Sequence, residues 1–161
     1  MKYWTVGVVF CLAKWWHRTA TASDVRFLLA PVDWLVGGAT GSPGRWTEAG
    51  YRHADLGVVV DAGCAGFNFY LVAFLLTAFL LLRRYDRWWA VGAALLAAYP
   101  LTVAANVSRI LTVLTTGDAP AGFTAGGWHE VQGAVVYLTA LTGFAALLSW
   151  HLRPRLLAVN R

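Results

Sequence analysis

Hydrophobic positions in this chain gather into three long uncharged runs, 65–82, 88–108 and 131–150, separated by polar segments. At about 1.5 Å of helix rise per residue, a run of about 18 or more such residues crosses the roughly 30 Å hydrocarbon layer of a bilayer. Each run therefore predicts a transmembrane helix, and with their flanking residues the spans are placed at 64–82, 88–111 and 129–150. Asn68 and Pro100 interrupt the first two, and both are tolerated where a neighbouring helix supplies hydrogen-bond partners. A fourth apolar segment, 3–22, is less regular: Lys14 breaks it, and Trp15, Trp16, His17 and Arg18 follow. Lys2 and the small residues at 20–22 imitate a signal peptide, but the Trp-rich basic cluster between them suits an interfacial anchor. The segment is read as a retained span with its N-terminus inside and Lys14 snorkelling outward.

The stretch 23–63 has a different pattern. Ser23 is positioned to cap a helix running to about Val36. Phe27, Leu28, Leu29, Val32, Leu35 and Val36 share a broad apolar face, while Arg26 and Asp33 make the helix amphipathic, which predicts that it lies at the outer interface or dips in and returns. Gly37–Gly44 reads as a loop. Residues 45–61 lack a helical period and 56–60 favour strand, which predicts a small hairpin. The expected fold class is an all-α polytopic membrane protein. It has about four transmembrane helices, an interfacial amphipathic helix and a small extracytoplasmic β-hairpin, in a single integral membrane domain over 1–161 with 23–63 as the extracytoplasmic segment.

Composition agrees: 58% of residues are hydrophobic and only 13% charged, with a mean hydropathy of +0.55. That excludes an ordinary soluble domain. The formal net charge of +5 follows topology and is not a nucleic-acid footprint. Arg83, Arg84 and Arg87 lie between the first two strong spans, Arg153, Arg155 and Arg161 follow the third, and Asp118 and Glu130 are the charges of the 112–130 linker. The positive-inside rule puts the 83–87 turn and the C-terminus in the cytoplasm and the linker outside. Trp88, Trp89 and Trp150 stand beside those arginines, where an aromatic belt belongs. The predicted setting is a multi-pass protein of the cell membrane. Two cysteines, Cys11 and Cys64, form neither a CxxC nor a metal-ligand spacing, so a free Cys64 thiol, no metal and no cofactor are expected.

The alternating direction of the spans brings three chemistry-bearing residues to the outer end. Arg83 back to Cys64 is 19 steps, Arg87 to Arg109 is 22, and His151 back to His129 is 22, or roughly 28, 33 and 33 Å of helix. Cys64 sits at a helix start among small residues, where unpaired N–H groups and the dipole favour a thiolate; the plain alternative is a small buried residue. Arg109 near the end of an apolar helix is costly unless paired or wetted, and its permanent charge and fork of donors suit an oxyanion or a carboxylate; the alternative is snorkelling to headgroups. Asn106, three residues earlier on the same face, is a candidate substrate-binding residue. His129 opens the last span and can shuttle protons near neutral pH; alternatively it is an interfacial histidine without chemistry. Glu130 beside it is poorly placed to orient its ring, because adjacent helical residues do not face each other.

Cys64-Ala65-Gly66 at a helix start, Asn106-Val107-Ser108-Arg109 at a helix end and His129 opening the last span resemble the exosortase/archaeosortase family of membrane cysteine transpeptidases. The compact type called exosortase K is most similar, and Leu29-Ala30-Pro31 also resembles it; the likeness covers most of 25–150. Many members carry Ser where this chain has Ala65, and many are longer. The resemblance implies that Cys64 is the nucleophile, His129 the general acid/base and Arg109 the transition-state stabiliser. It implies as partner an exported protein ending in a short motif, a transmembrane helix and a basic tail, with a surface glycan, a lipid or water as acceptor, and an active site on the extracytoplasmic side. The competing class is a non-enzymatic scaffold or transporter subunit using Arg109 to bind an anionic ligand. A thiol oxidoreductase lacks its second cysteine, and no serine has a nucleophile-elbow setting.

Overall fold

A computed structural model describes residues 1–116, 119–122 and 124–152. The elements are α1 (Lys2–His17), α2 (Arg26–Thr40), β1 (Arg45–Thr47), β2 (Gly50–His53), β3 (Val58–Asp61), a single 3-10 turn (Ala62–Ala65), α3 (Phe67–Tyr85), α4 (Trp89–Thr116) and α5 (Ala125–His151). Three helical segments are long and apolar enough to cross a membrane: Ala62–Tyr85, Trp89–Thr116 and Gly126–His151. The chain is thus mostly helical with a small antiparallel sheet. Arg153, Arg155, Arg161 and Asp118 lie outside the described residues.

The expected fourth span at 3–22 is a shorter helix. α1 has 16 residues, about 24 Å of rise against a hydrocarbon layer of roughly 30 Å. It runs antiparallel to α3 and is pinned at both ends. Lys2 pairs with Asp86 at 2.9 Å beside the arginine turn, and Lys14 donates to Asn68 Oδ1 at 2.5 Å near the other end of α3. Lys14 therefore reaches sideways to the one amide in α3's first turn, not to the headgroups. The N-terminus and the 83–87 turn share one end of the molecule, as the charge pattern predicts.

α3 and α4 make the central pair. Ala90, Ala94 and Ala98, spaced four apart and fully buried, face Ala73, Phe74, Ala78 and Leu82. Small side chains let two backbones approach closely where lipid supplies no hydrophobic drive. Thr77 and Thr102 in this seam return their hydroxyls to their own helices, to the carbonyls of Ala73 and Ala98 at 2.7 and 2.8 Å, so neither buried hydroxyl is left unpaired. α5 joins this pair loosely: only 11% of its apolar window is buried inside the protein.

α2 buries Leu28, Leu29, Val32 and Val36, one side of the helix as expected, whereas Phe27 and Leu35, expected on the same face, are exposed together with Trp34. Its ends differ from expectation. Ser23 makes no cap: the N-cap is Val25, without a side-chain cap bond. The preceding turn is instead closed by Asp24, whose carboxylate accepts from the Thr21 N–H at 2.7 Å and the Thr21 hydroxyl at 2.8 Å. The helix also continues through Gly37 and Gly38 to Thr40, ending at Gly41 with φ +72°, so the loop is only half as long as the glycines suggested.

The 45–61 segment forms three strands in the order β1-β2-β3, all antiparallel, one more than a hairpin. Register pairs Arg45 with Arg52 and Tyr51 with Val60. A buried knot ties the sheet to α2: His53 is fully buried, with Nδ1 2.6 Å from the Ser42 carbonyl and Nε2 3.0 Å from Asp33 Oδ1. Burial pushes the Asp33 carboxyl up, opposed by His53. The sheet sits at the end of the bundle where α3 begins and α4 ends, so β3 leads straight into the turn that carries Cys64.

Candidate active site

Cys64 is third in the Ala62–Ala65 turn, not in the first turn of α3 as the sequence suggested. Two local devices cause this. Asp61 caps the turn, its Oδ1 accepting from the Cys64 N–H at 3.0 Å. Gly66 then takes φ +65°, a conformation that costs other residues steric strain, so the chain turns before α3 begins at Phe67. The Cys64 N–H is thus engaged by a carboxylate and is not a free helix-end donor. The thiol is free and half-buried.

Asn106 holds the other side of the same turn. Fully buried in α4, it donates from Nδ2 to the Cys64 carbonyl at 2.8 Å, and its Oδ1 accepts from the Tyr137 hydroxyl of α5. A Cβ on Gly66 would come 2.6 Å from Asn106 Nδ2, so glycine is required there for contact as well as for φ. Expected beside a substrate, Asn106 instead spends its amide within the protein, and it does not line the cavity described below.

Arg109 lies one turn further along α4. Its guanidinium carbon is 5.7 Å from the Tyr137 ring centroid, and that ring stacks on Phe69 of α3 at 4.6 Å. Gly133 of α5 makes room for it: a Cβ there would meet Arg109 Nε at 2.7 Å. The Arg109 Nε is buried with no hydrogen-bond partner among the described residues, a donor left without an acceptor in a chain that otherwise satisfies its buried polar groups with few exceptions.

His129 projects from the first turns of α5. Its Nδ1 is 3.3 Å from Gln132 Oε1, and Gln132 in turn donates to Thr116 Oγ1 at the end of α4. In the neutral ring, donation of Nδ1–H to this amide oxygen leaves Nε2 as the acceptor nitrogen. Gln132, one helical turn on, holds the ring; Glu130 is exposed.

These residues share one cavity. A cavity of about 230 Å³ is lined by Cys64, Arg109 and His129 together with Val58, Val59, Val60, Ile110, Val113 and Leu114. It brings thiol, guanidinium and imidazole to one space, with aliphatic walls from β3 and α4. Among the described residues no group of His, Cys, Asp and Glu is arranged to hold a metal ion. Residues 47–146 match the family model described as transmembrane exosortase (Exosortase_EpsH). The chain belongs to the transmembrane exosortase family. Exosortases are in general membrane transpeptidases that act on proteins bearing sorting signals. Neither a curated protein nor a solved structure matches the chain. The stretch that matches the exosortase model begins in β1 and ends within α5, so it takes in the whole cavity and excludes α1 and α2.

The sequence did not single out Tyr137, Gln132 or Gly133. Gln132 has a local signal, since residues three apart share a helix face. The others act through contacts between distant elements, for which the linear pattern carries no sign.

Proposed function

We propose that this exosortase is a cysteine transpeptidase of the compact exosortase K type, working at the extracytoplasmic membrane boundary. The observation that carries the reading is the convergence of Cys64, Arg109 and His129 on one cavity. The subtype rests on the likeness of Leu29-Ala30-Pro31; the extracytoplasmic placement rests on the arginines at 83–87, which occupy the opposite end of α3 and α4.

In this mechanism the Cys64 thiol gives its proton to His129, and the sulfur attacks a peptide carbonyl of the substrate. The carbonyl electrons move onto oxygen, where the Arg109 N–H donors receive the developing charge. The C–N bond then breaks, the departing amine takes the proton from His129, and a Cys64 thioester remains. An incoming nucleophile, a hydroxyl or amine of a surface glycan or lipid, or water, loses its proton to His129 and attacks the thioester, restoring the thiol. The substrate's own transmembrane helix sets the depth of the scissile bond, and its basic tail stays in the cytoplasm.

Asn106 and Tyr137 act as positioning residues. Through them the carbonyl of Cys64 and the cation of Arg109 are referred to one phenol. Tyr137→Phe removes the hydroxyl and keeps the ring against Phe69 and Arg109. Its expected effect is a fall in kcat of about tenfold, the value of roughly one hydrogen bond to a group held in place, with KM changed less than twofold. Steady-state processing by the purified variant checks it.

The test of the reading as a whole is labelling of Cys64 by a membrane-impermeant maleimide in intact cells carrying Cys11→Ser. Modification from outside is expected, together with loss of processing in proportion. A thiol labelled only after permeabilisation contradicts the assignment, and an inert thiol alongside normal processing favours a scaffold.

A further inference from the structure

β3 is an edge strand. Its one partner is β2, and no further backbone or side-chain hydrogen bond reaches Val58, Val59 or Val60 among the described residues. In an antiparallel pair, alternate residues turn both main-chain groups toward the partner and the rest turn theirs away. Gly50 in β2 fixes which is which. A Cβ added to it would strike the Val60 carbonyl, so Val60 faces β2, and by alternation the N–H and C=O of Val59 face the free edge.

That edge opens on the cavity. Successive side chains of a strand point to opposite faces, and here Val60 is 2% exposed while Val59 is 43% exposed. Even so, Val58, Val59 and Val60 all line the same space as Cys64, which happens when a cavity lies along a strand's backbone edge. The opposite wall is Ile110, Val113 and Leu114 of α4, and the cleft is continuous with the Cys64, Arg109 and His129 end. Its main-chain polar demands are the N–H and C=O of Val59, which β2 leaves unpaired. An extended peptide offers the complementary carbonyls and N–H at the strand spacing of about 3.3 Å per residue.

We infer that the substrate's segment around its scissile bond binds as an added antiparallel or parallel strand on the free edge of β3, pairing with Val59 and delivering its next carbonyl to the Cys64 sulfur. This is recognition by β-augmentation, in which main-chain hydrogen bonds give affinity and side-chain pockets give selectivity. It rests on the reading of Cys64 as the nucleophile facing this cleft, and names how the peptide is held there. An aliphatic cleft wall at this position selects small or apolar residues beside the bond that is cut.

The test uses the full chain with Cys11→Ser, purified in detergent. Two electrophiles are compared: iodoacetamide, and acetyl-Ala-Ala-Ala vinyl sulfone, whose polar recognition elements are its main-chain amides. Rates of Cys64 alkylation, each divided by the rate with glutathione, are expected to favour the peptide by about tenfold or more, the yield of two ordinary hydrogen bonds. Val59→Pro deletes the edge N–H at a place where β2 does not use it and is expected to abolish the advantage with the iodoacetamide rate unchanged; Val59→Ile keeps it. Should Val59→Pro disturb the fold, the fully N-methylated peptide on the unchanged Val59 protein gives the same answer by losing the advantage. An equal rate for both electrophiles, or an advantage that survives both Val59→Pro and N-methylation, overturns the proposal. So does a dimer that Val59→Pro converts to monomer, which would give the edge to a second copy, or an advantage abolished by added phospholipid. Such a failure alongside Cys64-dependent processing leaves the catalytic reading standing; processing by Cys64→Ala removes that reading instead.

Discussion

Replacing Cys64 by alanine abolishes processing of a co-expressed sorting-signal substrate, to less than about one part in a thousand of the normal rate, while the protein accumulates normally. The loss is expected to be total because no other thiol or hydroxyl side chain lines the cavity among the described residues, and the proposed thioester route begins with this sulfur. Accumulation is unaffected because the turn is held by its main chain. Asp61 accepts from the Cys64 N–H and Asn106 donates to the Cys64 carbonyl, and neither contact involves the side chain. Truncating a half-buried thiol costs stability on the order of 1 kcal/mol or less, within the range of ordinary substitutions. Immunoblotting of precursor and mature substrate, with the membrane level of the variant as control, gives the result; more than a tenth of normal processing contradicts it. Cys64→Ser behaves the same way, since a serine hydroxyl is a far weaker acid than a thiol and gives up its proton to His129 much less readily.

Arg109→Ala is expected to lower kcat by about a hundred- to a thousandfold, the usual loss on removing one oxyanion donor. Arg109→Lys recovers only part of this. An ammonium keeps the charge but not the planar fork, and the site is shaped for the fork: Gly133 leaves room for Nε, and the Tyr137 ring lies under the guanidinium. Alkylation of Cys64 by iodoacetamide should change less than threefold in both variants, because Arg109 acts on the substrate's oxygen after attack. Equal losses in alkylation and processing would instead make Arg109 a partner of the thiol alone. Parallel measurement of kcat and alkylation rate separates the two.

The three long helices were legible because lipid leaves few options: uncharged runs of bilayer length specify a helix of spanning length almost without context. Cys64, Arg109 and His129 were legible by the same logic, since counting helix rise from the arginine turn places all three at one depth. What depth could not give was azimuth, and the contacts set by azimuth, Asn106 with Tyr137 and Arg109 over Gly133, were missed or misassigned. Asn106 was expected at the substrate because it shares Arg109's helix face. In the fold that face passes behind the Cys64 turn, and the amide is consumed bracing it. α1 was overextended because the residues at 18–22 were counted as span, although the helix stops at His17. The third strand escaped because strands of three and four residues carry almost no period of their own; their pairing comes from Gly50 and from the His53 knot, which are tertiary features.

The central claim is that Cys64 is acylated by the substrate during turnover. Membranes actively processing a sorting-signal substrate are quenched in acid, which preserves thioesters, and the peptide containing Cys64 is analysed by mass spectrometry with and without hydroxylamine. The account predicts a substrate fragment attached at Cys64 and released by hydroxylamine. A Cys64 peptide that stays unmodified while processing continues contradicts it.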